Sequence, residues 1–92
     1  MTRIQSIRQQ ITDRDYYLSS HAEDEMLGDC FDRTDVENAI LKGRIEKRLT
    51  SDLRGTRYRI AGPAEDGRLM HVICRFAEDC RLIIITVYGI EE

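Results

Sequence analysis

The feature that most constrains this chain is the change of hydrophobic period after Gly43. Before that glycine, apolar residues recur at helical spacing. After it they alternate with other residues over four segments, at 44–49, 57–62, 69–76 and 82–88. Short turns separate these segments, and strands joined by short connections pair antiparallel. The pattern predicts an α+β fold, in which N-terminal helices pack on one face of a four-stranded antiparallel sheet.

Three helix starts are marked by capping boxes, in which Ser or Thr is followed three residues later by Glu or Gln. The pairs are Thr2 with Gln5, Ser20 with Glu23, and Thr34 with Glu37. They predict a first helix that docks loosely on the rest, a second helix from His21, and a third helix from Asp35 to Lys42 with Gly43 as its left-handed cap. The short stretch 16–18 is expected to be extended or irregular. A single domain over 1–92 is expected, comprising a helix in 1–15, a helical part in 16–43 and a sheet in 44–92.

Composition narrows the class of protein. The longest apolar run, Leu82 to Ile85, is far shorter than the roughly 20 residues that cross a bilayer, and no leader opens the chain. A soluble, cytoplasmic protein without a membrane partner is expected. The three cysteines are an odd number without a C-x-x-C pair, so we expect reduced thiols, no metal site and no cofactor.

Charge is segregated along the chain. The net charge of −3 argues against an indiscriminate nucleic-acid binder. Residues 42–59, however, hold seven basic side chains against two acidic ones, a local net charge of +5. This basic strip, which includes Lys47 and Arg54, is a candidate phosphate-binding surface.

Alternation along the strands predicts which side chains face away from the helices. The covered face is expected to carry Val72, Cys74, Phe76, Ile83, Ile85 and Val87. The opposite, open face is expected to carry Arg57, Arg59, His71, Arg75, Thr86 and Tyr88. The last two set hydroxyls side by side at the end of a strand that is otherwise apolar. The open face is therefore the candidate functional site.

Five short motifs stand in order along the chain. They are Ser20-His21-Ala22 with Met26, Asp35-Val36-Glu37 leading to Gly43, Arg57-Tyr58-Arg59-Ile60-Ala61-Gly62, Asp66-Gly67-Arg68, and Ile85-Thr86-Val87-Tyr88. Their order and spacing resemble the bacterial family called domain of unknown function 4258. This resemblance implies the fold of barnase-like and RelE-like ribonucleases, with a few helices on a curved antiparallel sheet. It also implies a toxin, either of a toxin–antitoxin pair or as a domain of a larger secreted protein, with RNA as substrate and a cognate antitoxin as the expected partner.

The resemblance carries over to individual residues. His21 matches the histidine of the family, Arg57 falls in its Arg-Tyr strand, and Thr86 and Tyr88 match its terminal Thr-x-Tyr. One position departs, because a common Met-x-x-Arg is replaced here by Met26-Leu27-Gly28-Asp29. A basic residue that could touch phosphate is missing there.

These residue types suit metal-independent RNA cleavage, in which a base takes the proton of the ribose 2′-hydroxyl and cations hold the phosphate. His21, at a helix N-terminus, is the expected base, and His71 is the second histidine candidate. Arg57 or Arg59 would hold the phosphate, and Thr86 or Tyr88 would orient it. The expected substrate-binding residues are Arg59, His71, Arg75 and Lys47.

Other interpretations of the same residues stay open. The arginines could form a solvated strand face paired with Glu46, Glu65 or Glu78, and His21 could simply bond a carbonyl. The whole chain could be a non-catalytic protein-binding module or a degenerate toxin domain that acts through a partner protein. It could also form a homodimer through the exposed edge strand 44–49.

Overall fold

A computed structural model describes residues 2–50 and 55–90 of the chain. Its helices are α1 (Arg3–Thr12), α2 (Ser20–Gly28) and α3 (Arg33–Lys42). Its strands are β1 (Tyr16–Leu18), β2 (Arg44–Leu49), β3 (Arg57–Pro63), β4 (Leu69–Phe76) and β5 (Leu82–Gly89). The predicted α+β class is confirmed. The turn predicted between the first two strand segments includes residues 51–54, and these residues, with Arg54 of the basic strip, lie outside the described part of the chain.

The sheet has five strands in the order β1-β5-β4-β3-β2. Strands β2 to β5 form the predicted antiparallel meander. The prediction of four antiparallel strands was nevertheless wrong, because β1 adds a fifth strand that runs parallel to β5, with Tyr16 opposite Leu82 and Leu18 opposite Ile84. Three residues are too few to show alternation, and the partner strand lies far along the sequence.

A bulge in β5 changes which side chains are buried. Ile73 of β4 pairs with Thr86, whereas the next residue, Cys74, pairs with Ile84, so Ile85 is an extra residue. The inserted residue reverses the alternation, and Leu82, Ile84 and Val87 point into the core. The expectation that Ile83 and Ile85 face the core was therefore wrong. Thr86 and Tyr88 follow the bulge and keep their predicted place on the open face.

The core lies between one face of the sheet and the helices. Tyr58, Ile60, Val72 and Ile84 are among its strand residues. All three helices contribute, with Ile7 and Ile11 from α1, Ala22 and Met26 from α2, and Val36, Ala39 and Ile40 from α3. Among the described residues, no helix is long and apolar enough to span a bilayer.

Helix α1 is anchored more firmly than expected. The Arg8 guanidinium donates to the carbonyls of Ile40 at 3.3 Å and Gly43 at 2.7 Å, which lie at the end of α3. The Gln10 side chain accepts from the backbone N–H of Leu82 at 2.7 Å. The bonds from Arg8 satisfy carbonyls that the end of a helix leaves without partners. The prediction of loose docking was wrong because these polar contacts leave no periodic trace in the sequence.

The helix caps follow the predicted chemistry with shifted positions. The Thr2 and Gln5 capping box is present. Helix α2 is capped by Ser19, one residue before the predicted cap, and α3 by Asp32 instead of Thr34. The buried carboxylate of Asp35 explains the second shift, because it accepts from the N–H of Asp32 at 2.8 Å and from that of Glu65 at 3.0 Å. It therefore ties α3 to the turn between β3 and β4.

Two glycines allow α3 to lie directly on the sheet. A Cβ on Gly62 would overlap the carbonyl oxygen of Ala39 and lie 2.8 Å from the carbonyl carbon of that residue and 2.9 Å from Cα of Gly43. A Cβ on Gly43 would overlap the carbonyl oxygens of Ala39 and Ala61. Gly43 has φ −87°, so the predicted left-handed cap was wrong. Glycine is needed here for close approach of two main chains.

Candidate functional site

The open face of the sheet carries a half-buried polar cluster. Its members are Arg57, Arg59, His71, Arg75, Thr86 and Tyr88. The register places His71 opposite Tyr88, Arg57 opposite Arg75, and Thr86 opposite Ile73. Because side chains directly opposite each other on paired strands lie in contact range, the face is arranged in rows. The structure thus brings together six of the eight predicted site residues on one surface.

A chain of polar contacts links side chains of four strands on this face. One oxygen of Glu46 accepts from the Arg59 guanidinium at 2.6 Å and lies 3.3 Å from Nε2 of His71. The Nδ1 atom of His71 lies 3.1 Å from the Tyr88 hydroxyl. The two rings meet edge to face with centroids 5.2 Å apart. We call Glu46, His71 and Tyr88 the relay, because a carboxylate, an imidazole and a hydroxyl stand in series.

Glu46 reaches the relay because β2 is irregular at this residue. Ile45 pairs with Ile60, and Lys47 with Arg59, so Glu46 is the extra residue of a bulge. Its side chain meets Arg59 and His71 on the neighbouring strands. The sequence indicated Glu46 only as one possible ion-pair partner of the arginines. Its place in the relay was missed because nothing in the alternation of β2 marks the bulge.

The charge of Glu46 sets the tautomer of His71. Desolvation, the largest single influence, raises the pKa of Glu46, but the hydrogen bond from Arg59 and the interactions with His71 outweigh it and hold that pKa below its ordinary value of 4.5. Glu46 is therefore a carboxylate at neutral pH. A neutral His71 then donates its Nε2–H to Glu46, which leaves Nδ1 to accept the proton of the Tyr88 hydroxyl. The side chain of His71 is only 14% exposed, which holds the ring in this orientation.

The remaining cations lie around the relay. Arg57 and Arg75 stand opposite each other one row away from Arg59 and Ile73. Among the described residues, Arg75 has no carboxylate partner, and the buried Nε of Arg59 has no hydrogen-bond acceptor. Lys47 is exposed on the edge strand opposite Arg59. An anion on the open face would therefore meet the guanidinium group of Arg75 and the ammonium group of Lys47.

His21 lies apart from these hydrogen bonds. Its ring is 67% exposed, and its Nε2 lies 3.2 Å from Glu25, which also accepts the backbone N–H of Val87 at 3.2 Å. Within residues 2–50 and 55–90, no hydrogen bond or ion pair joins His21 to the relay. The structure brings His71, and not His21, into contact with Tyr88.

The edge of β5 is covered by α2. Past the residues that pair with β1, the backbone groups of β5 bond to side chains instead of to another strand. The carbonyl of Ile85 accepts from the Ser19 hydroxyl at 2.9 Å, and the N–H of Gly89 donates to Asp29 at 3.3 Å. Glu25 binds the N–H of Val87 between them. Polar side chains of α2 and of its two cap residues therefore have structural roles at this edge.

Thiols and metal ligands are sparse at the site. Cys74 is buried beneath the sheet, where burial raises the pKa of its thiol to about 12, whereas Cys30 and Cys80 are exposed. In the part of the chain that the structure describes, no three His, Cys, Asp or Glu side chains are grouped to hold a metal ion.

Comparison with known proteins gives a family. A family model described as Domain of unknown function (DUF4258) matches residues 18–89. No curated protein and no solved structure gives a significant match. The matched region contains α2, α3 and strands β2 to β5, with all three relay residues, and it covers well over half of the 92 residues. The chain therefore belongs to the DUF4258 family.

Proposed function

We propose that the protein is a metal-independent endoribonuclease that cleaves RNA through attack of the ribose 2′-hydroxyl, and that it acts as the toxin of a toxin–antitoxin-type system. The observation that carries this proposal is the relay of Glu46, His71 and Tyr88 beside three arginines on an open sheet face. The motifs resemble the domain of unknown function 4258 family, and the grouping of that family with barnase-like and RelE-like ribonucleases supports both the chemistry and a related curved-sheet fold.

The relay can supply the base for this reaction. The 2′-hydroxyl oxygen attacks the adjacent phosphorus while its proton passes to the Tyr88 oxygen, and the Tyr88 proton passes to Nδ1 of His71. Glu46 stabilises the imidazolium that forms. The bond from phosphorus to the 5′ oxygen then breaks, that oxygen takes a proton from water, and the hydroxide that remains takes the extra proton from His71, which restores the relay. The products are a 2′,3′-cyclic phosphate and a 5′-hydroxyl end.

The arginines can stabilise the charge that develops on the phosphate. Arg75 and Arg57 stand side by side on the face, and Arg59 lies in the next row, where its guanidinium is paired with Glu46 of the relay. Guanidinium groups match phosphate oxygens in geometry and carry charge at all physiological pH values. Thr86, which lies opposite Ile73, would orient a phosphate oxygen. Lys47 would bind the RNA beyond that phosphate.

The experiment is an RNA cleavage assay with purified protein in the presence of EDTA, with analysis of the product ends. Tyr88→Phe and His71→Ala are expected to lower the rate by about 10²- to 10⁴-fold, the usual contribution of acid–base groups. His21→Ala is the informative counterpart, since the resemblance implies that His21 is the base. Loss of activity in His21→Ala with full activity in His71→Ala would refute the relay and favour His21. Absence of cleavage by the wild type, together with no effect on growth, would refute the proposed function.

One observation favours a second candidate, a non-catalytic module that binds a partner protein. Arg59 is already paired with Glu46 at 2.6 Å, so part of the positive charge of the open face is neutralised. In such a module, the acidic first 40 residues of the chain would attract a basic partner such as an antitoxin. A stable complex with the product of a neighbouring gene, without nuclease activity, would favour this candidate.

Strand β2 is an edge of the sheet, so it is the strand through which two copies of the chain could pair as a homodimer. Sedimentation tests this pairing.

A further inference from the structure

A groove adjoins the relay on the open side of the sheet. It has a volume of about 400 Å³. Its apolar lining comes from Ala61, Pro63, Leu69 and Ile90. Leu69 is 43% exposed, so part of this apolar lining faces solvent. The groove therefore offers an accessible apolar surface to a ligand.

The register fixes the position of the groove relative to the relay. Ala61 pairs with His71, which pairs with Tyr88, so the groove begins in the row that contains the relay. Pro63 pairs with Leu69 two residues further along the same strands, a distance of about 7 Å. Glu46 lines the groove and also bonds His71. A molecule whose phosphate lies at the relay would extend its neighbouring group into the groove.

Charge at the rim narrows the choice of occupant. Lys42 and Arg44 line the groove with Glu46 as the acidic member, and Arg44 pairs with Ala61. An occupant with a flat apolar ring and an attached phosphate satisfies both the apolar floor and the cationic rim. A nucleotide of single-stranded RNA has this chemistry, because its base offers an apolar face whatever its sequence.

We infer that this groove is a nucleobase subsite, which holds the base next to the scissile phosphate while Lys42 and Arg44 bind the following phosphate. The inference rests on the proposed ribonuclease function and adds a substrate requirement to it. The substrate is single-stranded RNA, since a base stacked within a duplex cannot enter the groove. Leu69 and Ile90 are the residues on which the ring packs.

The test measures binding without cleavage. The probes are a trinucleotide with 2′-O-methyl groups throughout, which cannot react, and two versions that lack the first or the third base. Of the two shortened probes, the one that lacks the base held in the groove is expected to bind the wild type about tenfold more weakly than the complete trinucleotide. This ratio is in line with the usual contribution of one stacked base. Leu69→Ala is expected to weaken binding of the complete trinucleotide and to remove its advantage over that probe. Leu41→Ala is the matched control, because Leu41 is 42% exposed on α3 and lies outside the groove.

The outcomes separate this inference from the proposed function. Equal binding of all three probes, or equal effects of Leu69→Ala and Leu41→Ala, would overturn the base subsite even if the protein cleaves RNA. Base-dependent binding that Leu69→Ala removes supports the subsite even if the wild type cleaves nothing, in which case the proposed function alone fails. Failure of every probe to bind the wild type would overturn the subsite.

Discussion

Substitution of Gly62 by alanine tests whether the close contact between α3 and the sheet is as tight as the structure shows. The new Cβ would overlap the carbonyl oxygen of Ala39 and approach Cα of Gly43 to 2.9 Å. Both neighbours are main-chain atoms, so no side-chain rotation can relieve the clash. Movement of α3 would also disturb the bonds from Arg8 to its last carbonyls.

The size of the effect can be worked out. Overpacking of a closely packed site costs about 1–3 kcal/mol, and the rigid main-chain neighbours favour the upper value. Replacement of glycine by alanine also stabilises by about 1 kcal/mol at most, because the unfolded chain loses freedom. The net cost for Gly62→Ala is therefore about 2 kcal/mol. With an unfolding entropy of about 0.19 kcal/mol/K for a chain of this length, Tm should fall by about 10 °C.

The assay is thermal unfolding followed by circular dichroism, with Gly28→Ala as the control. Gly28 ends α2, and a Cβ on this residue would meet no neighbouring atom within 4 Å, so only the stabilising contribution applies and Tm should rise by a few degrees. The double variant Gly62→Ala with Ala39→Gly should stay destabilised, since the clash involves the main chain of Ala39. A Tm for Gly62→Ala within about 2 °C of the wild type, or rescue by Ala39→Gly, would refute the reasoning.

Three further predictions concern other groups. Arg8→Ala removes two hydrogen bonds to the end of α3 and should lower the free energy of unfolding by about 1–2 kcal/mol in urea titrations, with partial recovery in Arg8→Lys. Native protein at pH 8 should show two reactive thiols, Cys30 and Cys80, with Cys74 reacting only after denaturation because burial raises its pKa to about 12. The pKa of Glu46 is lower in the folded protein, so its charge stabilises the fold above its ordinary pKa of 4.5 and this contribution is lost as pH falls through the folded value. The stability difference between wild type and Glu46→Gln should therefore shrink in acid, and a difference that grows below pH 4 would contradict this assignment.

Most strands could be predicted because each shows its burial in the sequence. The bounds of β2 and β4 match those predicted, and β3 and β5 extend by one residue to Pro63 and Gly89. Along β3 and β4, buried and half-buried residues alternate as a sheet with one covered face requires. This regularity predicts Arg59 and His71 on one surface, and Tyr88 joins them because it follows the bulge in β5.

The features that could not be predicted depend on long-range geometry. Strand β1 exists because residues 16–18 meet a partner that begins at Leu82. The bulges at Glu46 and Ile85 each insert a residue without a local signal, and they decide respectively which carboxylate reaches His71 and which isoleucine enters the core. Asp35 accepts from the N–H of the distant Glu65 as well as from that of Asp32, the residue that caps α3. In each case tertiary contacts, and not local preference, select the conformation.

Helix α1 bears on where the folded domain of this family begins. The family match begins at residue 18, after α1 and most of β1. Ile7 and Ile11 of α1 are nevertheless buried in the same core as Val36 and Ile40 of the matched region. A fragment trimmed to the matched boundaries would expose that part of the core to water. The unit that folds is therefore longer than the unit that sequence similarity defines, and a relative without an equivalent helix needs another segment to cover α3.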